Sequence, residues 1–103
     1  MDKIDALKLS RTYLQKAKKS GLDFSEAWLF GSYAKGNQNE NSDIDLAIIL
    51  KDIDHTFETE VMLMGIRNGD ELMIEPHPFS KDEFDNKFPL VNQIIKYGER
   101  VVV

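Results

Sequence analysis

The stretch Asp43–Leu50 constrains this chain more than any other part of it. Ile44, Leu46, Ile48 and Ile49 are strongly apolar, and a short aliphatic run of this kind reads as a buried strand. Two carboxylates, Asp43 and Asp45, occupy its beginning. Side chains alternate across a strand, so these two point the same way, about 6.5–7 Å apart along the chain. They therefore stand at the lip of a buried sheet, where solvent or a cation can relieve their mutual repulsion.

The surrounding pattern predicts an α/β (α+β) domain with a small sheet. At 103 residues the chain has the size of one small domain, so residues 1–103 are read as a single unit. Residues 2–20 carry Ile4, Leu7, Tyr13, Leu14 and Ala17 at helical spacing, and Gly21 suits the C-terminal stop. Ala27–Phe30 reads as a buried strand ending at Gly31-Ser32, and residues 36–42 as a polar loop. A helix is expected over 56–67 with Phe57, Val61, Leu63 and Met64 inward, broken by Asn68-Gly69-Asp70. Glu71–Glu75 reads as a third strand stopped by Pro76 and Pro78. Ser80-x-x-Glu83 has the form of a capping box, Leu90–Tyr97 is the last helix, and Val101–Val103 is a terminal edge strand.

Composition removes several function classes. Thirteen Lys and Arg against eighteen Asp and Glu leave a net charge of −5, which disfavours nucleic acid as a partner because neutralising phosphates takes a basic stripe. With no cysteine there is no disulfide scaffold, thiolate zinc site or cysteine nucleophile. The N-terminus lacks an apolar signal core, and the longest aliphatic run, Leu46–Leu50, is too short to span a bilayer. The chain reads as cytoplasmic, with no membrane association.

The chemistry concentrates in Gly31-Ser32-Tyr33-Ala34-Lys35-Gly36 and Ser42-Asp43-Ile44-Asp45-Leu46. Hard oxygen donors such as Asp43 and Asp45 suit Mg²⁺, which completes its shell with waters and substrate phosphates. Gly31 lets the backbone approach a ligand closely, and Ser32 with the amides that follow can donate to phosphate oxygens. Two rival motifs fail. Gly31 and Gly36 have P-loop spacing, but Asn37-Gln38 stand where Lys-Ser/Thr is needed, and Leu46-Ala47-Ile48 lacks the ligand and glycine of a calcium loop. Lys35 can reach a phosphate or lie free in the loop. Tyr33 packs over the loop or stacks on a base, with packing the simpler reading. Ser42 caps the Asp43 turn, His77 lines the pocket or is structural, and His55 has no chemical partner in view. Trp28, Phe30, Met62, Met64 and Met73 read as packing.

Gly31-Ser32, ten intervening residues and Asp43-Ile44-Asp45 together resemble the signature of the nucleotidyltransferase superfamily that includes DNA polymerase β, and in particular its minimal nucleotidyltransferases, the MNT proteins. The resemblance extends to Leu72–Phe79 and covers roughly residues 25–80. It implies a small mixed sheet with helices packed on one side, and transfer of a nucleoside monophosphate from an NTP, AMP from ATP, to a hydroxyl. By that likeness Gly31 and Ser32, with Lys35 beside them, hold the triphosphate, and Asp43 and Asp45 bind two Mg²⁺ ions. A third carboxylate completes the site and draws the acceptor's proton. Glu75, directly before Pro76, matches the family's context better than Glu71, although the family often has Asp there. Two metals clamp the attacking and leaving oxygens of an in-line displacement, so catalysis is mostly positioning and charge neutralisation.

Three functions follow. In the first, as in MNT pairs with HEPN-type helical toxins, the chain adds AMP to a tyrosine of a separately encoded partner. The expectation rests on the roughly 25 residues after Pro78, too few for an acceptor domain. In the second the acceptor is a small hydroxyl compound such as an aminoglycoside. In the third the chain is a non-catalytic antitoxin or regulatory subunit acting by contact, against which the intact Gly-Ser and Asp-x-Asp argue.

Overall fold

In the computed structural model, which describes residues 1–51 and 57–103, α1 spans Lys3–Lys19. Its start is set by Asp2, whose carboxylate accepts from the Asp5 N–H at 2.8 Å. Its end carries Lys16, Lys18 and Lys19 where the helix dipole is negative, and Gly21 leaves it with φ +100°. Ala6, Ser10, Tyr13, Leu14 and Ala17 form the buried stripe, whereas Ile4, predicted to join it, is exposed. The small Ala6 fills that end of the seam.

Four strands make a mixed sheet in the order β3-β2-β1-β4. β1 (Phe24–Phe30) runs antiparallel to β2 (Ile44–Leu50) and to the two-residue β4 (Glu99–Arg100), while β2 and β3 (Ile74–Phe79) are parallel. β2 is buried on both faces except at Asp45, as its aliphatic run demands. On one face Leu29, Leu46, Ile48 and Ile74 pack against α1, Tyr33 of the short α2 (Ser32–Lys35) and Leu63 of α3 (Phe57–Gly65). On the other, Trp28, Phe30, Ala47, Ile49 and Phe79 meet Phe84 and Ile94, the latter on α4 (Pro89–Tyr97). The one-sided helical layer implied by the resemblance thus describes α1 to α3, and α4 adds a partial cover opposite.

Three expectations change. The third strand begins after the predicted one: Gly69–Met73 forms a 3₁₀ helix, and β3 runs through both prolines that were expected to stop it. β3 is an edge strand, and period two puts the missing N–H groups of Pro76 and Pro78 on one side, facing away from β2. Within α3 Leu63 is buried, but Phe57, Val61 and Met64 are exposed. Periodicity identifies an apolar stripe and not what covers it. At the C-terminus β4 precedes Val101, whose N–H still donates to the Ala27 carbonyl at 2.9 Å. The capping box forms, with Ser80 N–H to Glu83 Oε1 at 2.9 Å and Glu83 N–H to Ser80 Oγ at 3.2 Å. His55 and the expected helix start at 56 lie outside the described residues. Among those residues no helix is long and apolar enough to cross a membrane.

Candidate active site

Register assembles the site. Asp45 pairs with Phe30 across the antiparallel ladder and with Glu75 across the parallel one, so β1, β2 and β3 bring these three residues into line at one end of the sheet. Because side chains alternate, His77 shares the Glu75 face. His77 Nε2 lies 3.2 Å from Asp45 Oδ1 and 3.9 Å from Glu75 Oε1. One donor atom each from Asp45, Glu75 and His77 falls within 4.8 Å of the others. Burial grades outward, from 25% side-chain exposure at Asp45 through 30% at His77 to 52% at Glu75, so the cluster opens toward solvent past Glu75. Asp43 precedes β2 by one residue and is exposed, outside this cluster.

The turn after β1 is shaped around the same carboxylate. Gly31 has φ +76° and ψ −151°, a combination essentially reserved for glycine. A β-carbon there would overlap Asp45 Oδ2 and lie 3.2 Å from its Cγ. The chain then winds into α2, closed by Gly36 in the left-handed conformation. Ser32 opens that turn, and Tyr33 is fully buried against α1, so the packing reading of Tyr33 holds. Lys35 is exposed at the far end, with Nζ 5.5 Å from the Tyr97 ring centroid. In the following loop Ser42 Oγ accepts from the Asn39 N–H at 2.9 Å, which closes the loop just before Asp43.

Glu71 and Glu75 fall in different elements, Glu71 in the 3₁₀ helix and Glu75 in β3. Glu71 was expected on the Glu75 face, near solvent; it is buried instead, bonded to Lys16 Nζ and accepting from the Asn68 N–H at 2.9 Å. It caps the 3₁₀ helix and ties it to α1. Arg67 fastens the entry to β3, donating to the carbonyls of Met64, Leu72 and Ile74 at 2.9, 3.2 and 3.1 Å. That fork holds the strand immediately before Glu75. Tyr13 braces the other side of α3, its hydroxyl donating to the Leu63 carbonyl at 2.5 Å. Burial pushes the Tyr13 phenol above its ordinary range.

Two openings flank the cluster. A cavity of about 170 Å³ lies between α2 and α4, lined by Phe30, Gly31, Lys35, Leu90, Gln93 and Tyr97. A groove of about 210 Å³ lies between α3 and β3, lined by Glu60, Leu63, Met64, Glu75, Pro76 and Pro78. The first shares Gly31 with the site and the second shares Glu75. Two carboxylates and an imidazole nitrogen are a donor set that fits a divalent cation. Sequence reasoning gave His77 only a lining role. The available signal was Glu75-Pro-His77 on a strand, which puts both side chains on one face once the prolines are allowed within it.

The geometry has relatives. The family model described as polymerase beta, nucleotidyltransferase matches residues 12–102. No curated protein matches the chain in sequence. Among solved structures, a candidate nucleotidyltransferase from Sulfolobus solfataricus superposes with a TM-score of 0.65 at 21% identity, over 95% of this chain and 80% of that one. A toxin–antitoxin structure with AMP-PNP gives 0.60 at 22% identity, over 89% and 72%. A mutant of the toxin–antitoxin pair MntA–HpeT gives 0.59 at 20% identity, over 99% and 73%. These likenesses concern the fold, while the family model spans nearly the whole sequence, including the glycine turn and all three carboxylates. The chain belongs to the polymerase β nucleotidyltransferase family.

Proposed function

We propose that this chain is a minimal nucleotidyltransferase, residues 1–103 acting as one unit in the cytoplasm, that moves AMP from ATP to a tyrosine hydroxyl of a HEPN-type partner toxin. The observation that carries the reading is the Asp45–Glu75 carboxylate pair set between two separate openings, one bounded by the glycine turn and one by the apolar flank of α3. A transferase needs two substrates to meet at one point, and this arrangement offers an entrance for each. Glu75 rather than Glu71 is the third carboxylate, since Glu71 is consumed by Lys16 and Asn68.

Asp45 and Glu75 would hold the first cation, and by the family likeness Asp43, exposed one residue before β2, would join them in holding two Mg²⁺ ions, which would supply charge neutralisation on the phosphates. Gly31 and Ser32 take the triphosphate against the turn, and Lys35 offsets its charge from the end of α2. Glu75, the most exposed of the cluster, accepts the proton of the incoming hydroxyl at its carboxylate. The partner assignment is supported by two toxin–antitoxin neighbours of this fold and by the exposed apolar residues Phe57, Val61 and Met64 of α3, of which Met64 lines the groove leading to Glu75.

The test supplies purified protein, Mg²⁺ and a lysate of the source cells with ATP labelled at either the α- or the γ-phosphate. The expected result is a protein band labelled from the α position alone, absent with Asp43→Asn/Asp45→Asn. Label on a small molecule instead points to an aminoglycoside-like acceptor. Neutralisation of a partner that survives the double substitution means the chain acts by contact, and the proposal is then wrong.

A further inference from the structure

We propose that His77 is a nitrogen ligand of the cation held by Asp45 and Glu75, so that the site takes a first-row transition ion, for which Mn²⁺ is the probe, in preference to Mg²⁺. The inference rests on the reading of this cluster as the metal site of the transferase. Donors about 2.1 Å from an octahedral ion stand roughly 3 Å apart when adjacent and roughly 4.2 Å apart when opposite. His77 Nε2 meets that spacing with both carboxylates, at 3.2 Å from Asp45 Oδ1 and 3.9 Å from Glu75 Oε1.

The imidazole is also held in place. The Phe30 ring meets it edge-on with centroids 5.0 Å apart, and Phe30 is itself the ladder partner of Asp45. Pro76 and Pro78 fix φ on either side of it in the strand. A ring so constrained loses little freedom on binding an ion. Nitrogen donors favour first-row transition ions, whereas Mg²⁺ keeps to oxygen and surrenders its waters reluctantly.

Pulsed electron paramagnetic resonance of the full chain with Mn²⁺ and a non-hydrolysable ATP tests this directly. The expected spectrum shows the ¹⁴N coupling of a directly bonded imidazole. In His77→Gln, which keeps a hydrogen-bonding amide beside Asp45, that coupling disappears. Mn²⁺ affinity then falls on the order of tenfold. Mg²⁺ affinity, read by competition, stays close to that of the parent chain. Bound Mn²⁺ without nitrogen coupling overturns the inference, leaving His77 as a hydrogen-bond partner of Asp45 and the carboxylate site intact. Failure to bind Mn²⁺ at all overturns both the inference and the reading of the cluster as a metal site.

Discussion

Gly31 and Asp45 occupy space that only one of them can enlarge: the glycine α-carbon sits where any side chain would overlap the Asp45 carboxylate. The Gly31 turn and the Asp45 carboxylate are therefore one fitted unit. Gly31→Ala is expected to cost about 1–3 kcal/mol of stability from backbone strain alone. Displacing the carboxylate by even an ångström lowers nucleotidyl transfer on the order of 10²-fold. Thermal melts and α-label transfer on the same preparation separate the two effects.

Glu75 is the exposed member of the cluster and the ladder partner of Asp45, with its carboxylate half in solvent. Glu75→Gln is expected to leave stability within about 0.5 kcal/mol of the parent. With Glu75 as the proton acceptor proposed above, transfer activity is expected to fall on the order of 10²-fold or more. Chelation should abolish transfer in the parent chain while the circular dichroism spectrum is unchanged. A Glu75→Gln protein of full activity removes Glu75 from the chemistry.

Glu71 makes the opposite prediction. Glu71→Ala strands the Asn68 N–H and the Lys16 ammonium, but Lys16 is partly in water, which screens its share. The net cost is about 2 kcal/mol, visible as a lower denaturant midpoint. Activity per folded molecule should match the parent, because Glu71 is engaged by Lys16 and Asn68 and stands outside the cluster.

Tyr13 links α1 to α3 through its buried hydroxyl, and its phenol titrates above the ordinary tyrosine range. In the unfolded chain that phenol ionises near pH 10, roughly. Above that pH the unfolded chain releases a proton that the folded chain keeps, so the stabilisation is whole below about pH 10 and is lost as pH rises toward the folded value. Tyr13→Phe should be less stable by about 1 kcal/mol at neutral pH. The gap between the two proteins should narrow on titration above pH 10, measured by urea unfolding. A gap that is constant with pH removes the phenol from the balance.

Much of this was legible beforehand because it depends on local chemistry. The apolar run around Asp45 reads as a buried strand, the Gly31 turn is written in one residue, and the Asp2 and Ser80 caps lie within three residues of their partners. What was misread depends on neighbours far along the chain. The prolines of β3 are tolerable only at a sheet edge, and nothing within residues 71–79 says that this strand will be one. Glu71 is a capping and ion-pair residue because Lys16, 55 positions away, reaches it. The stripe Phe57, Val61, Met64 has helical period whether it faces a core or solvent, and here it faces solvent.

The two prolines of β3 carry one more consequence. An uncovered edge strand normally invites another chain to extend the sheet, and proteins guard against it with charge or a lid. Here the guard is the absence of donors at Pro76 and Pro78. A lid over β3 would close the groove that leads to Glu75, and a second strand laid along it would do the same. By disarming the edge chemically, the sequence keeps the groove beside Glu75 open without turning that access into a seed for aggregation.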